Sequence, residues 1–176
     1  GSQYRNDMMI LMQSYATERV DRGGERMEPL GIRMLGVLDL AMGSGELKPT
    51  STDPNEQPSL DYRYLQDPWD RERLREGVRM CLGFLEHDVY KDIIEECIPP
   101  TADDLVSDDT LDQWLLRNVT TTQHISGTCK MGSASDPMAV VTQHGQVHGL
   151  QGLRVADASI MPDCIRANTN ATTIMI

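Results

Sequence analysis

An imidazole is the side chain best suited to moving a proton near neutral pH, and four stand in this chain: His87, His124, His144 and His148. His144 and His148 are four apart, but they lie in a glycine-rich segment where the helical geometry that would aim both at one metal is not expected, so they read as turn-flanking surface residues and no metal site is assigned. Cys81, Cys97, Cys129 and Cys164 form no C-x-x-C pair and suggest neither a zinc knuckle nor a dense disulfide framework, which makes a reducing cytoplasm the default location. That leaves His124, in His124-Ile125-Ser126-Gly127-Thr128-Cys129-Lys130-Met131-Gly132. On local features alone such a histidine reads as a loop residue bonded to backbone. Asp157 and Asn168, judged the same way, read as cap or turn residues.

The elements that must position these residues follow from apolar spacing. Asp7–Tyr15 and Gly31–Leu38 carry short apolar runs bounded by Asp21-Arg22-Gly23-Gly24 and Gly43-Ser44-Gly45, and predict neighbouring strands, with buried helix as the competing assignment. Lys48 to Pro58 is polar and proline-marked, a loop. Asp67-Pro68 opens an amphipathic helix with Leu74, Val78, Cys81 and Leu85 on its buried stripe and its Arg and Glu residues on a solvated face. Ser107-Asp108-Asp109-Thr110 caps a further helix carrying Leu111, Trp114, Leu115 and Val119, which delivers the chain to His124. Beyond His124 charge density falls and Gly and Thr rise. The run from Thr169 to Ile176 reads as a helix start that stops before its cap, and Gly1-Ser2 does not read as a native start, so the chain is expected to be part of a longer one.

Three segments together carry a resemblance. His124–Gly132 resembles the H-x-x-G-T-x-x-M-G motif of glucose-methanol-choline oxidoreductases. Gly149-Leu150-Gln151-Gly152-Leu153-Arg154-Val155-Ala156-Asp157-Ala158-Ser159-Ile160-Met161-Pro162 is similar to that family's G-x-x-G-L-R-V-x-D-x-S-x-x-P segment. Asn168 to Ile176 resembles the N-x-N-x-x-T-x-M-I start of its last helix. The order matches, as does the separation of about forty-four residues between the first and second catalytic positions. Weaker agreement in Gly45-Glu46-Leu47, Asp53-Pro54 and Asp61-Tyr62-Arg63-Tyr64-Leu65 extends the match from about Gly43 onward.

The resemblance implies an FAD-dependent oxidoreductase acting on the CH–OH group of a small-molecule alcohol, choline dehydrogenase- or oxidase-like, with hydride passing to flavin N5. By the same match His124 is the base and Asn168, where many relatives carry a second His, orients the substrate oxygen. Asp157, Ala158, Asn168 and Thr169 fall at cofactor-binding positions. The implied fold is α+β: a mostly antiparallel sheet backed by helices, residues 1–118 forming a substrate-binding portion, and residues 119–176 a catalytic segment that completes an FAD-binding α/β domain. No strand followed by G-x-G-x-x-G is present, so that flavin domain is the expected partner, and this chain alone should bind FAD weakly. A non-redox, hydroxynitrile lyase-like flavoprotein is the second implied function, and a binding module built on Met-rich strands the third. The electron acceptor, oxygen or another, is open.

Composition narrows the alternatives. A net charge of -11 argues against nucleic acid, whose phosphates require clustered Lys and Arg. No run approaches the roughly 20 apolar residues of a membrane span, and no export signal opens the chain.

Overall fold

The computed structural model describes residues 6–16 and 31–176. Strands β1 (Met8–Ala16) and β2 (Gly31–Leu38) pair antiparallel, with Met8 opposite Leu38 and Met12 opposite Met34. Both predicted strands are therefore present and adjacent; the predicted turn at Asp21–Gly24 lies outside the described residues. A second two-stranded antiparallel sheet joins β3 (Glu46–Lys48) to β4 (Ser59–Asp61) around the proline-marked loop. Among the described residues the sheet content is thus two small antiparallel pairs rather than one broad sheet.

Helix α1 (Pro68–Leu85) begins where expected: the Asp67 side chain accepts from the Trp69 and Asp70 amides, and Pro68 occupies the first turn, where a missing N–H costs nothing. Helix α2 (Asp108–Asn118) is closed by a capping box in which Ser107 and Thr110 bond each other's backbone reciprocally. Leu65, Leu74, Leu111 and Leu115 form the core between these helices, flanked by Met8, Leu38, Val78, Trp114 and Val119. Each such leucine contributes about 1.5–3 kcal/mol by leaving water.

One expectation for α1 is corrected. Its arginines do not all face solvent: Arg73 is 1% exposed and pairs with the buried carboxylates of Asp7 at 2.8 Å and Asp70 at 3.4 Å. Arg73 also donates to the Leu40 carbonyl at 2.8 Å, while Asp70 accepts from the Met42 and Gly43 amides. A buried charge is tolerable only when paired and hydrogen-bonded, and here the pairing ties the exit of β2 to the first turns of α1.

After α2 the chain becomes a set of turns held by isolated bridges, Met131 with Val141, Val141 with Val147 and Gln146 with Arg154, around fully buried Val141. Gly145, at φ +72°, is required there, since a Cβ would lie 2.6 Å from the Val155 carbonyl oxygen. His148 is half-buried with its Nε2 3.1 Å from the Gly132 carbonyl, which corrects its assignment as a surface residue; His144 is exposed as expected. Among the described residues no cluster of His, Cys, Asp and Glu is arranged to hold a metal, and no helix is long and apolar enough to cross a membrane.

Candidate active site

The three motif segments meet through their backbones and side chains. The amides of Gly127, Cys129 and Met131 donate to the carbonyls of Ala158, Ser159 and Ile160 at 3.3, 2.9 and 2.8 Å, so the first segment is laced along the second. Ile160 and Met161 are buried beneath this seam and give it a rigid floor. Asp157 caps the one-turn 3-10 helix Ala158–Ile160, accepting from the Ser159 amide at 2.8 Å, and hydrogen bonding from Ser159 holds its carboxyl below the ordinary value. The cap role read for Asp157 on local features is therefore real. Ala158 supplies the first carbonyl of the seam.

The third segment reaches His124 directly. Asn168 Nδ2 lies 3.0 Å from His124 Nε2, and Thr169 Oγ1 lies 3.2 Å from His124 Nδ1. An amide NH2 has hydrogens and no acceptor, so Nε2 must accept from Asn168; a neutral ring then carries its proton on Nδ1 and donates to Thr169 Oγ1. His124 is half-buried and Asn168 exposed, leaving the Nε2 side open to an incoming molecule. Thr169 is the N-cap residue of the short helix α3 (Asn170–Met175), the helix start expected from sequence, and its carbonyl accepts from the Thr173 hydroxyl at 2.8 Å. Gln123, at φ +65°, turns the chain sharply just before His124.

Two neighbours escaped the sequence reading. Cys164 hydrogen-bonds Ser126, and partial desolvation with the carboxylates of Asp163 and Asp70 pushes its thiol up. Asp39, just past β2, is half-buried and feels the charge of His124; burial raises its carboxyl above the ordinary value and His124 pulls it part of the way back. An acid after a strand normally reads as a turn residue, and nothing in the local sequence links it to a histidine so far along the chain.

His124 is thus held at both ring nitrogens, with a neutral donor beside it and an open face. Comparison with known proteins gives the family. The family model described as GMC oxidoreductase matches residues 42–176. Over 136 residues the chain is 40% identical to the oxygen-dependent choline dehydrogenase 1 of Chromohalobacter salexigens, covering 77% of this chain and 24% of that protein. It is 41% identical over 132 residues to the oxygen-dependent choline dehydrogenase of Paraburkholderia xenovorans, covering 75% and 23%. Among solved structures, pyridoxine 4-oxidase from Mesorbium loti superposes with a TM-score of 0.74 at 29% identity over 82% of this chain and 28% of that one. A fungal aryl-alcohol oxidase superposes with a TM-score of 0.68 at 28% identity, over 80% and 23%. The chain belongs to the GMC oxidoreductase family, whose members are FAD flavoproteins and alcohol oxidoreductases. It spans about a quarter of the length of these curated relatives.

Proposed function

We propose that this chain is the C-terminal catalytic portion of an FAD-dependent enzyme that oxidises the CH–OH group of a small-molecule alcohol of the choline type. The observation that carries the reading is the convergence on His124 of Asn168 and Thr169, 44 and 45 residues further along, with Nε2 left as the acceptor on an open face.

In this reading His124 Nε2 takes the carbinol proton, and Asn168, a donor that cannot itself accept that proton, keeps the developing alkoxide in place. Thr169 accepts from Nδ1 on the far side of the ring and so favours the tautomer in which Nε2 carries the lone pair. Asp157 and Ala158, locked into the seam, with Asn168 and Thr169, would line the flavin. The donor set fits that group: a neutral amide, a hydroxyl and a rigid backbone turn suit a planar, uncharged ring system, and the segment's exposed Ile125, Leu153 and Ile174 suit burial against another domain. When bound, FAD supplies the hydride acceptor, N5. The likeness to choline dehydrogenases favours choline-type alcohols; the four free cysteines favour a reducing, cytoplasmic setting. Residues up to 118, ending with α2, form the substrate-binding portion, and residues 119–176 the catalytic segment.

The test is His124→Ala in the flavin-loaded full-length polypeptide. Anaerobic bleaching of the flavin by an alcohol should slow by roughly 10²–10⁴-fold. Bleaching at the wild-type rate would remove His124 as base. Absence of bleaching by every alcohol in a panel, with wild-type protein, would leave a flavoprotein without redox turnover.

A further inference from the structure

Thr169 stands at the N-cap of α3 but does not cap it. An N-cap threonine ordinarily takes extended backbone angles and turns its hydroxyl back to accept from an amide of the first turn. Thr169 has φ -75° and ψ -16°, which are helical values, and its side chain makes no capping bond. The hydroxyl goes instead to the ring, 3.2 Å from His124 Nδ1. A restraint must hold the residue in that conformation, because α3 is six residues long and a helix so short is not held by its own propensity. That restraint sits one turn further on. The Thr169 carbonyl accepts twice from Thr173, from the amide at 2.9 Å and from the hydroxyl at 2.8 Å. Both threonines are half-buried, so water competes less for either bond.

We propose that Thr173 is a positioning residue for His124, acting through Thr169: its hydroxyl locks the carbonyl, and with it the helical angles, of the residue whose own hydroxyl meets the ring. The inference rests on the base role proposed above. A threonine bonded to the carbonyl four residues back is common in helices and by itself only ties a turn. Here the carbonyl it ties belongs to the residue that bonds Nδ1. If Thr169 relaxed to the extended angles of an ordinary N-cap, its carbonyl would leave Thr173 and its hydroxyl would turn to the first-turn amides. Nδ1 would then lose its partner, and the neutral ring could carry its proton on either nitrogen. A proton on Nε2 would face the Asn168 NH2 donor and remove the lone pair that must take the substrate proton. The Thr173 hydroxyl opposes that switch, since extended angles at Thr169 break its bond.

The experiment uses the flavin-loaded full-length polypeptide carrying Thr173→Val, which keeps the branched shape and removes the hydroxyl, beside Thr173→Ser, which keeps the hydroxyl. Nitrogen NMR of labelled histidine, with the His124 signals identified by their loss in His124→Gln, reads the tautomer without turnover. Wild type and Thr173→Ser should show Nε2 unprotonated, and Thr173→Val should bring the two ring signals closer together as the tautomers mix. In stopped-flow flavin reduction the limiting rate of Thr173→Val should fall about twofold to fivefold, the scale of one net hydrogen bond partly lost, with substrate affinity unchanged and Thr173→Ser restoring the rate. In a Thr169→Val background Thr173→Val should slow the reaction no further, because the path through Thr169 is already cut. Ring signals and a limiting rate that stay in place in a folded Thr173→Val overturn the proposal, whatever happens to the unfolding midpoint. So does a loss that adds in full to that of Thr169→Val. If the valine variant does not fold, Thr173→Ala against Thr173→Ser carries the same comparison. Failure of the base reading shows separately, as flavin reduction that survives His124→Ala while the ring signals still respond to residue 173.

Discussion

The two ring nitrogens of His124 have different partners, and that asymmetry is the chemistry of the site at the scale of single residues. Nε2 faces an amide NH2 group, which only donates; Nδ1 faces a hydroxyl that can do either. Replacing Thr169 by Val keeps the shape but removes the group that fixes the tautomer, and a net hydrogen bond of about 1 kcal/mol lost this way slows flavin reduction roughly fivefold with little change in substrate affinity. Stopped-flow reduction across alcohol concentrations separates the two effects. On the proposed reading Asn168→Ala would act on the substrate oxygen instead, and should reduce the limiting rate by about tenfold to a hundredfold. His124 and Asn168 were legible in the sequence because a motif preserves residue types and spacing. That Thr169 would bond the imidazole was not, because its hydroxyl is equally suited to a ligand and only the turn into α3 aims it at the ring.

Secondary elements were legible to the extent that their partners are local. Short apolar runs between turn signals announce β1 and β2, and the Ser107-Asp108-Asp109-Thr110 cluster announces the start of α2, since each bond its cap needs lies within one helical turn. The buried stripe of α1 was only half readable: Leu74 and Cys81 announce it, but Asp70 and Arg73 belong to it too, and a charged pair on a helix reads as solvent-facing until Asp7, just before β1, completes it. Arg73→Ala should therefore destabilise by about 3–5 kcal/mol, because two buried carboxylates lose their cation. It should also loosen residues 39–43, visible as faster amide exchange at Met42 and Gly43, whose amides bond Asp70. Gly145→Ala tests the later turns: with a positive φ and a carbonyl in the way, the variant should unfold at lower denaturant than wild type, whereas substitution at exposed Gly149, where the space is open, costs only backbone strain.

At the scale of the whole molecule the distribution of apolar surface matters most. Ile174 and Met175 are 77% and 79% exposed on α3, and Met138 and Leu150 stand out from the turns that carry the catalytic segment. Scattered apolar residues are ordinary on a surface, and exposed ones stand on both portions of the chain, Val89, Ile93 and Val106 before residue 119 as well as these after it. Across α1 and α2, Arg75 pairs with Asp112 and Arg79 with Asp108. A flavin pyrophosphate is normally held by a glycine-rich turn at a helix N-terminus, and no G-x-G-x-x-G follows a strand here. On the proposed reading the isolated 176-residue chain should accordingly bind FAD far more weakly than the full-length polypeptide, in which the proposed ring contacts of Asp157, Ala158, Asn168 and Thr169 would add to a pyrophosphate site elsewhere. Equilibrium dialysis with FAD measures this: stoichiometric, tight retention by the isolated chain would mean that residues 119–176 hold the cofactor by themselves and that the proposed division of labour is wrong. Weak binding that becomes weaker still in Thr169→Val would place the ring contact in this segment and the main affinity in the remainder of the polypeptide.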